Sequence, residues 1–96
     1  MNRTDHLLWI LAEECAEVAQ RASKAARFSL KEAQPDQPYT NAERIMHEYT
    51  DLMAAIEMLI DEGHLKFPGD IFQRVEKKKA QVEKFLLRSK QYGRLE

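Results

Sequence analysis

The fold is decided first by residues 4–27, TDHLLWILAEECAEVAQRASKAAR, a stretch without proline or glycine. Apolar side chains recur in it with a period of about 3.6 residues, which indicates an amphipathic α-helix. Thr4 or Asp5 is predicted to cap this helix, which continues to about Arg27. Its apolar stripe consists of Leu7, Leu8, Leu11, Cys15, Val18, Ala22 and Ala25.

Two further helices are marked by their boundary residues. Thr40-Asn41-Ala42-Glu43 has the form of a capping box, and Gly63 is well placed to end the helix that it opens. Pro68-Gly69-Asp70 restarts the chain, and a third helix is predicted up to Gly93. The polar residues 28–39 are predicted to form a loop with at most one short turn. The apolar stripes are Ile45, Tyr49, Leu52, Ile56 and Leu59 or Ile60 in the second helix, and Ile71, Val75, Val82, Phe85 and Leu86 in the third.

No segment shows the alternation of a β-strand, so the sequence predicts an all-α fold. Three principal helices are expected to form a helical bundle within a single domain of residues 1–96. A chain of 96 residues buries only a modest core, which favours completion of the bundle by homo-oligomerisation.

Composition excludes several classes of function. Fifteen Lys and Arg against 16 Asp and Glu give no broad basic surface for a nucleic acid polymer. No apolar run approaches the roughly 20 residues of a membrane span, and no signal-peptide pattern opens the chain. A cytoplasmic protein that binds no membrane is the prediction. Cys15, the only cysteine, cannot form an internal disulfide and is expected to be a buried thiol.

Acidic residues border the apolar stripes of the first two helices. Glu14 lies between Ile10 and Val18 by helical period, and Glu48 borders the second stripe. Glu17 and Asp51 each lie one turn further along. Packing of the two helices would bring these four carboxylates together, where they would raise one another's pKa values unless a cation compensated them. Mg²⁺, which prefers oxygen ligands and also binds substrate phosphates, fits such a group, and Mn²⁺ is an alternative.

The simpler alternative is that these acids only solvate two helix faces. Charged residues one turn apart are common on exposed helices, and they serve equally well as salt-bridge partners for another protein. A non-enzymatic helical interaction module therefore remains an alternative of a different class. Metal binding that depends on Glu14 would separate the two.

The acidic pattern resembles the signature of a known family. Glu13-Glu14-Cys15-Ala16-Glu17 followed by Glu48-Tyr49-Thr50-Asp51 is similar to the paired motif of the MazG-type all-α nucleoside triphosphate pyrophosphohydrolases. The resemblance extends to residues 23–28 and 40–45, as in small single-domain members, and less specifically to residues 76–85. The connection between the two motifs is long for this family, which leaves the base preference open.

The resemblance implies Mg²⁺-dependent hydrolysis of an NTP or dNTP to the monophosphate and pyrophosphate, by a homodimer or homotetramer. By position it implies that Glu14, Glu17, Glu48 and Asp51 are metal ligands and that Glu13 orients water nearby. Related enzymes such as dimeric dUTPase or phosphoribosyl-ATP pyrophosphohydrolase remain alternatives with the same type of site.

Four basic residues are candidates for phosphate binding. Lys24 continues the acidic face of the first helix and Arg27 lies at its end, although both also fit plain solvation or pairing along the helix. Lys78 lies within the third stripe, with Arg74 one turn earlier. Either the Lys78 stem is buried and its ammonium reaches water, or the ammonium meets substrate phosphates.

Overall fold

The protein consists of three α-helices and no strands in the computed structural model, which describes all of residues 1–96. The helices are α1 (Arg3–Phe28), α2 (Asn41–Asp61) and α3 (Ile71–Gln91). The all-α prediction is confirmed. The chain divides into two compact units, Met1–Lys66 and Phe67–Glu96. None of the helices is long and apolar enough to cross a membrane.

The ends of the helices follow local capping chemistry. Thr40 and Glu43 form the predicted capping box, because each side chain accepts from the backbone N–H of the other residue. Gly63 ends α2 as predicted: its φ is +84°, and it opens a Schellman motif in which the His64 N–H donates to the Leu59 carbonyl at 2.8 Å. The predicted N-cap of α1, Thr4 or Asp5, was wrong: the Asn2 side chain caps the helix by accepting from the Asp5 N–H at 2.8 Å.

In the first unit, α1 and α2 pack as an antiparallel hairpin. At its open end, the Arg3 guanidinium donates two hydrogen bonds to the Glu62 carboxylate at 2.9 and 3.0 Å. At its closed end, the buried Asn41 side chain donates to the Ser29 carbonyl at 2.9 Å and so fixes the loop against the start of α2. Residues 29–40 contain no helix or strand, as predicted.

The interface between α1 and α2 follows a repeat of about seven residues, the spacing of a coiled-coil seam. Its inner positions on α1 are Leu7, Leu11, Glu14, Val18, Arg21 and Ala25, and those on α2 are Asn41, Ile45, Glu48, Leu52, Ala55 and Leu59, all buried or half-buried. The predicted α1 stripe was wrong in part. Leu8, Cys15 and Ala22 are exposed, because each follows an inner position of α1 by one residue and is therefore turned away from α2. Together they belong to a second apolar stripe of the helix.

In the second unit, α3 has no buried residue. The predicted stripe of α3 is exposed except at Ile71, which is half-buried. Gly93, with a φ of +72°, ends the helix as predicted, and the Arg94 N–H donates to the Ser89 carbonyl at 2.8 Å.

Candidate metal centre

The candidate site begins with two glutamates at inner positions of the hairpin. Glu14 takes the place of an apolar residue between Leu11 and Val18, and Glu48 does so between Ile45 and Leu52. Both side chains are therefore directed toward the facing helix. Apolar neighbours along the seam reduce the water around these carboxylates, which raises the free energy of their charged forms.

Glu17 joins them from the edge of the seam. Carboxylate oxygens of Glu14, Glu17 and Glu48, one from each residue, all lie within 4.8 Å of one another. Glu14 and Glu48 are half-buried, whereas Glu17 is exposed. The hairpin thus brings together three of the four predicted metal ligands, from two helices, at a point that is open to solvent on one side.

Their proximity changes the protonation chemistry of the group. The pKa of Glu48 is raised, first because its protonated form hydrogen-bonds to Glu17, then by burial and by the charges of Glu17, Asp51 and Glu14. The pKa of Glu14 is raised chiefly by burial, with the charges of Glu17, Asp51 and Glu13 adding to it. A cation placed among them would favour the charged forms again.

Asp51 and Glu13 lie on the same side of the hairpin as Glu17. Each precedes an inner position by one residue, and because the helices are antiparallel, this offset turns both of them toward one side. Asp51 is exposed, and its oxygens are outside the group of three, but its charge acts on Glu14 and Glu48. Glu13 is likewise exposed beside Glu14.

Arg21 is a member of the site that sequence reasoning missed. Its Nε lies 4.0 Å from Glu48 Oε1, and the exposed fractions of the two side chains are 14% and 17%. The signal was present in the sequence: Arg21 follows Val18 by three residues and precedes Ala25 by four, which is an inner position. Its neighbours one turn away, Glu17 and Lys24, conceal this signal because they suggest a charged helix face.

The predicted phosphate ligands are distributed over both units. Lys24 is half-buried and shares the side of Glu17, whereas Arg27 is exposed with its guanidinium 5.0 Å from the centre of the Phe28 ring. In the second unit, Arg74 and Lys78 line a groove along α3. Arg74 also pairs with Asp70 at 3.3 Å. A role in phosphate binding stays a prediction for all four.

The donor set fits a hard divalent cation. Oε2 of Glu14 and Oε2 of Glu48 are buried and accept no hydrogen bond, so their acceptor capacity is unused. Together with Glu17 they offer carboxylate oxygens within 4.8 Å of one another, and these three residues would hold the ion.

Comparisons of the chain with models of protein families, with curated proteins and with solved structures find no match. Function is therefore inferred from the side chains of the site and from the motif. The resemblance to MazG-type enzymes stays a prediction.

Proposed function

We propose that this protein is a Mg²⁺-dependent nucleoside triphosphate pyrophosphohydrolase that converts an NTP or dNTP to the monophosphate and pyrophosphate. The observation that carries the proposal is the convergence of Glu14, Glu17 and Glu48 within 4.8 Å, with buried carboxylate oxygens that lack a partner. Such an arrangement costs free energy without a cation, and a divalent ion would offset that cost. Mn²⁺ is the expected substitute for Mg²⁺.

The proposed roles follow from the position of each carboxylate. Glu14, Glu17 and Glu48 hold the ion, and Asp51 adds a fourth negative charge from the same side. A bound ion would neutralise the triphosphate, polarise phosphorus and lower the pKa of water. Glu13, exposed beside Glu14, orients the attacking water. The water oxygen bonds to phosphorus at the α–β bridge and gives up a proton to solvent, the bridging P–O bond breaks, and the monophosphate and pyrophosphate are the products.

Phosphate oxygens would be held by basic side chains. Of the two candidates in the first unit, Lys24 is the better placed, since it is half-buried on the side of Glu17. Arg27, Arg74 and Lys78 are retained as substrate-binding residues on the strength of the motif resemblance. A cytoplasmic location, where nucleotide substrates would be met, belongs to the same proposal.

Homo-oligomerisation, as a dimer or tetramer, is also part of the proposal. It is supported by an apolar face on the side of the hairpin opposite Glu17, formed by residues that follow the inner positions by one. The α1 row is mostly small and the α2 row mostly large, so that a second hairpin related by two-fold symmetry can place its large row against the small one. The rows are Leu8, Ala12, Cys15, Ala19, Ala22 and Ala26 on α1, and Ala42, Met46, Tyr49, Met53, Ile56 and Ile60 on α2.

Activity is tested with a panel of nucleotides in the presence of Mg²⁺. The expected products are nucleoside monophosphate and pyrophosphate, and Glu17→Gln should abolish both. Glu57→Gln, which changes an exposed acid of α2 away from the site, is the matched control and should retain full activity. Release of inorganic phosphate only, or no product from any nucleotide, would contradict the proposal. The same panel separates a general pyrophosphohydrolase from a dUTPase or a phosphoribosyl-ATP hydrolase.

A second candidate function, a non-enzymatic interaction module, is favoured by the exposed apolar residues of α3, including Phe72 and Phe85. This alternative predicts no metal binding at the carboxylates. Calorimetric titration with Mg²⁺ separates the two, because the enzyme should bind the ion and lose that binding in Glu14→Gln.

A further inference from the structure

Arg21 is a largely buried cation next to an acidic group, and two of its three guanidinium nitrogens have no hydrogen-bond partner. Its Nε and Nη1 are inaccessible to solvent and have no hydrogen-bond partner, and the same is true of Glu48 Oε2. The closest approach, 4.0 Å between Arg21 Nε and Glu48 Oε1, is well beyond the roughly 2.8 Å of a charge-assisted hydrogen bond. The two groups are therefore paired by charge and not by a hydrogen bond.

Such a pair is easily separated. A buried ion pair is held firmly only when hydrogen bonds satisfy both partners, and here both have unsatisfied atoms. Removing one partner is nevertheless costly, because the other charge then stays buried alone. Glu48 consequently requires some cation nearby, and Arg21 is the only basic side chain whose ion pair reaches Glu14, Glu17 or Glu48.

We propose that Arg21 is the resident counter-cation of the carboxylate group, and that it competes with the divalent metal for Glu48. When Glu48 turns to the ion, the guanidinium loses its partner and its unused N–H donors become available to an anion. Arg21 is thus a positioning residue that offsets the negative charge of Glu48 in the absence of metal. The inference depends on the metal site of the proposed function, but its test requires no turnover.

The competition is measured by calorimetric titration of Mn²⁺ into the wild type, Arg21→Met and Arg21→Lys. Methionine keeps an unbranched apolar stem of similar volume without the charge, whereas lysine keeps the charge. We expect Arg21→Met to bind Mn²⁺ about tenfold more tightly, because a repelling charge beside the ion is gone. Arg21→Lys should stay close to the wild type. Arg44→Met is the matched control, since this half-buried arginine of α2 donates to Gln34 and not to an acid.

Thermal unfolding with and without Mn²⁺ gives a second readout, and it stays informative if Arg21→Met folds poorly without metal. Without metal, this variant should unfold at a lower temperature than the wild type, since Glu48 has lost its counter-cation. Saturating Mn²⁺ should raise its unfolding temperature more than that of the wild type. A variant that folds only when Mn²⁺ is added supports the inference in the same way.

Each outcome bears on a different claim. If Mn²⁺ binds the wild type but binds Arg21→Met equally or more weakly, the competition is wrong and the metal site stands. If neither protein binds Mn²⁺, both the competition and the proposed metal site are wrong. If Arg21→Met binds more tightly while no nucleotide is hydrolysed, the competition holds and only the proposed enzymatic activity fails.

Discussion

Arg21 and Glu48 form an ion pair across the hairpin, with Nε and Oε1 4.0 Å apart and both side chains largely buried. Each occupies an inner position of its helix that an apolar residue would ordinarily fill. Two charges in a seam of a small protein reduce its stability relative to well-packed apolar side chains of similar volume. That cost points to a function in the region where α1 and α2 meet, which is also the region that collects the acidic side chains.

The raised pKa values of Glu48 and Glu14 predict an unusual pH dependence of stability. The folded protein keeps protons that the unfolded chain releases near the ordinary pKa of 4.5. The free energy of unfolding of the metal-free protein should therefore fall as the pH rises from about 4.5 through the raised values. Urea unfolding at a series of pH values measures it.

Glu48→Gln is the control for this prediction. Because glutamine does not titrate, the free energy of unfolding of this variant should decrease less as the pH rises. Mg²⁺ should reduce this decrease in the wild type as well. Glu43 and Glu62 have lowered pKa values, through hydrogen bonds from Thr40 and Arg3 respectively, and act in a separate range. These two residues contribute to the stability of the folded protein above their ordinary pKa, and the contribution is lost as the pH falls through their lowered pKa values. An unchanged slope in Glu48→Gln would contradict the assignment.

The capping box at the start of α2 predicts a moderate loss of stability in Thr40→Ala. The hydroxyl accepts from the Glu43 N–H at 3.2 Å, and alanine leaves that donor without its partner. We expect a loss of about 1 kcal/mol in the free energy of unfolding by urea. Thr40→Ser retains the hydroxyl and should lose little. Equal losses in both variants would show that the methyl group and not the cap is responsible.

Gly63→Ala should destabilise the protein through the backbone alone. The φ of Gly63 is +84°, and nothing lies within 4 Å of the added Cβ, so no clash contributes. We expect a loss of about 1 kcal/mol in urea unfolding, because an L-residue is strained in the left-handed region. Gly69→Ala is matched to it, since its surroundings are equally open and its φ lies outside that region. A loss of the same size in Gly69→Ala would contradict this explanation.

The apolar face of the hairpin predicts that Met53→Glu disrupts the oligomer. Met53 is 40% exposed and lies in the large α2 row, so that a buried carboxylate at this position would oppose association. Analytical ultracentrifugation should show a dimer or larger assembly for the wild type and a monomer for the variant. Met58→Glu changes a methionine that is 41% exposed and precedes an inner position, on the other side of α2, and this variant should associate normally. A wild type that stays monomeric would contradict the proposed homo-oligomerisation.

Local chemistry made the helices and most of their boundaries predictable, because capping boxes and C-terminal glycines act over a few residues. Thr40 and Gly63 are examples. Asn2 was missed because Thr4 and Asp5 are also capping residues and lie nearer the apolar run. Cys15 was wrongly predicted to be buried, since two apolar stripes one residue apart merge in a simple count. Separating them requires the seven-residue repeat of the seam.

The site residues that could be predicted are those at the inner positions of the hairpin or one residue away from them. Glu14 and Glu48 border their stripes, and the antiparallel hairpin aligns them. The register that brings Glu17 within reach of Glu48 depends on long-range packing, which helical period alone does not supply. Arg21 was missed because its neighbours Glu17 and Lys24 suggested an exposed charged face.

The proposed activity depends on binding of a divalent cation by the carboxylates of Glu14, Glu17 and Glu48. Anomalous diffraction from crystals grown with Mn²⁺ locates the ion directly. A single strong peak within bonding distance of an oxygen of each of the three residues is the predicted result, with Glu48 turned away from Arg21. No peak at these carboxylates, with Arg21 still paired to Glu48 in saturating Mn²⁺, would contradict it.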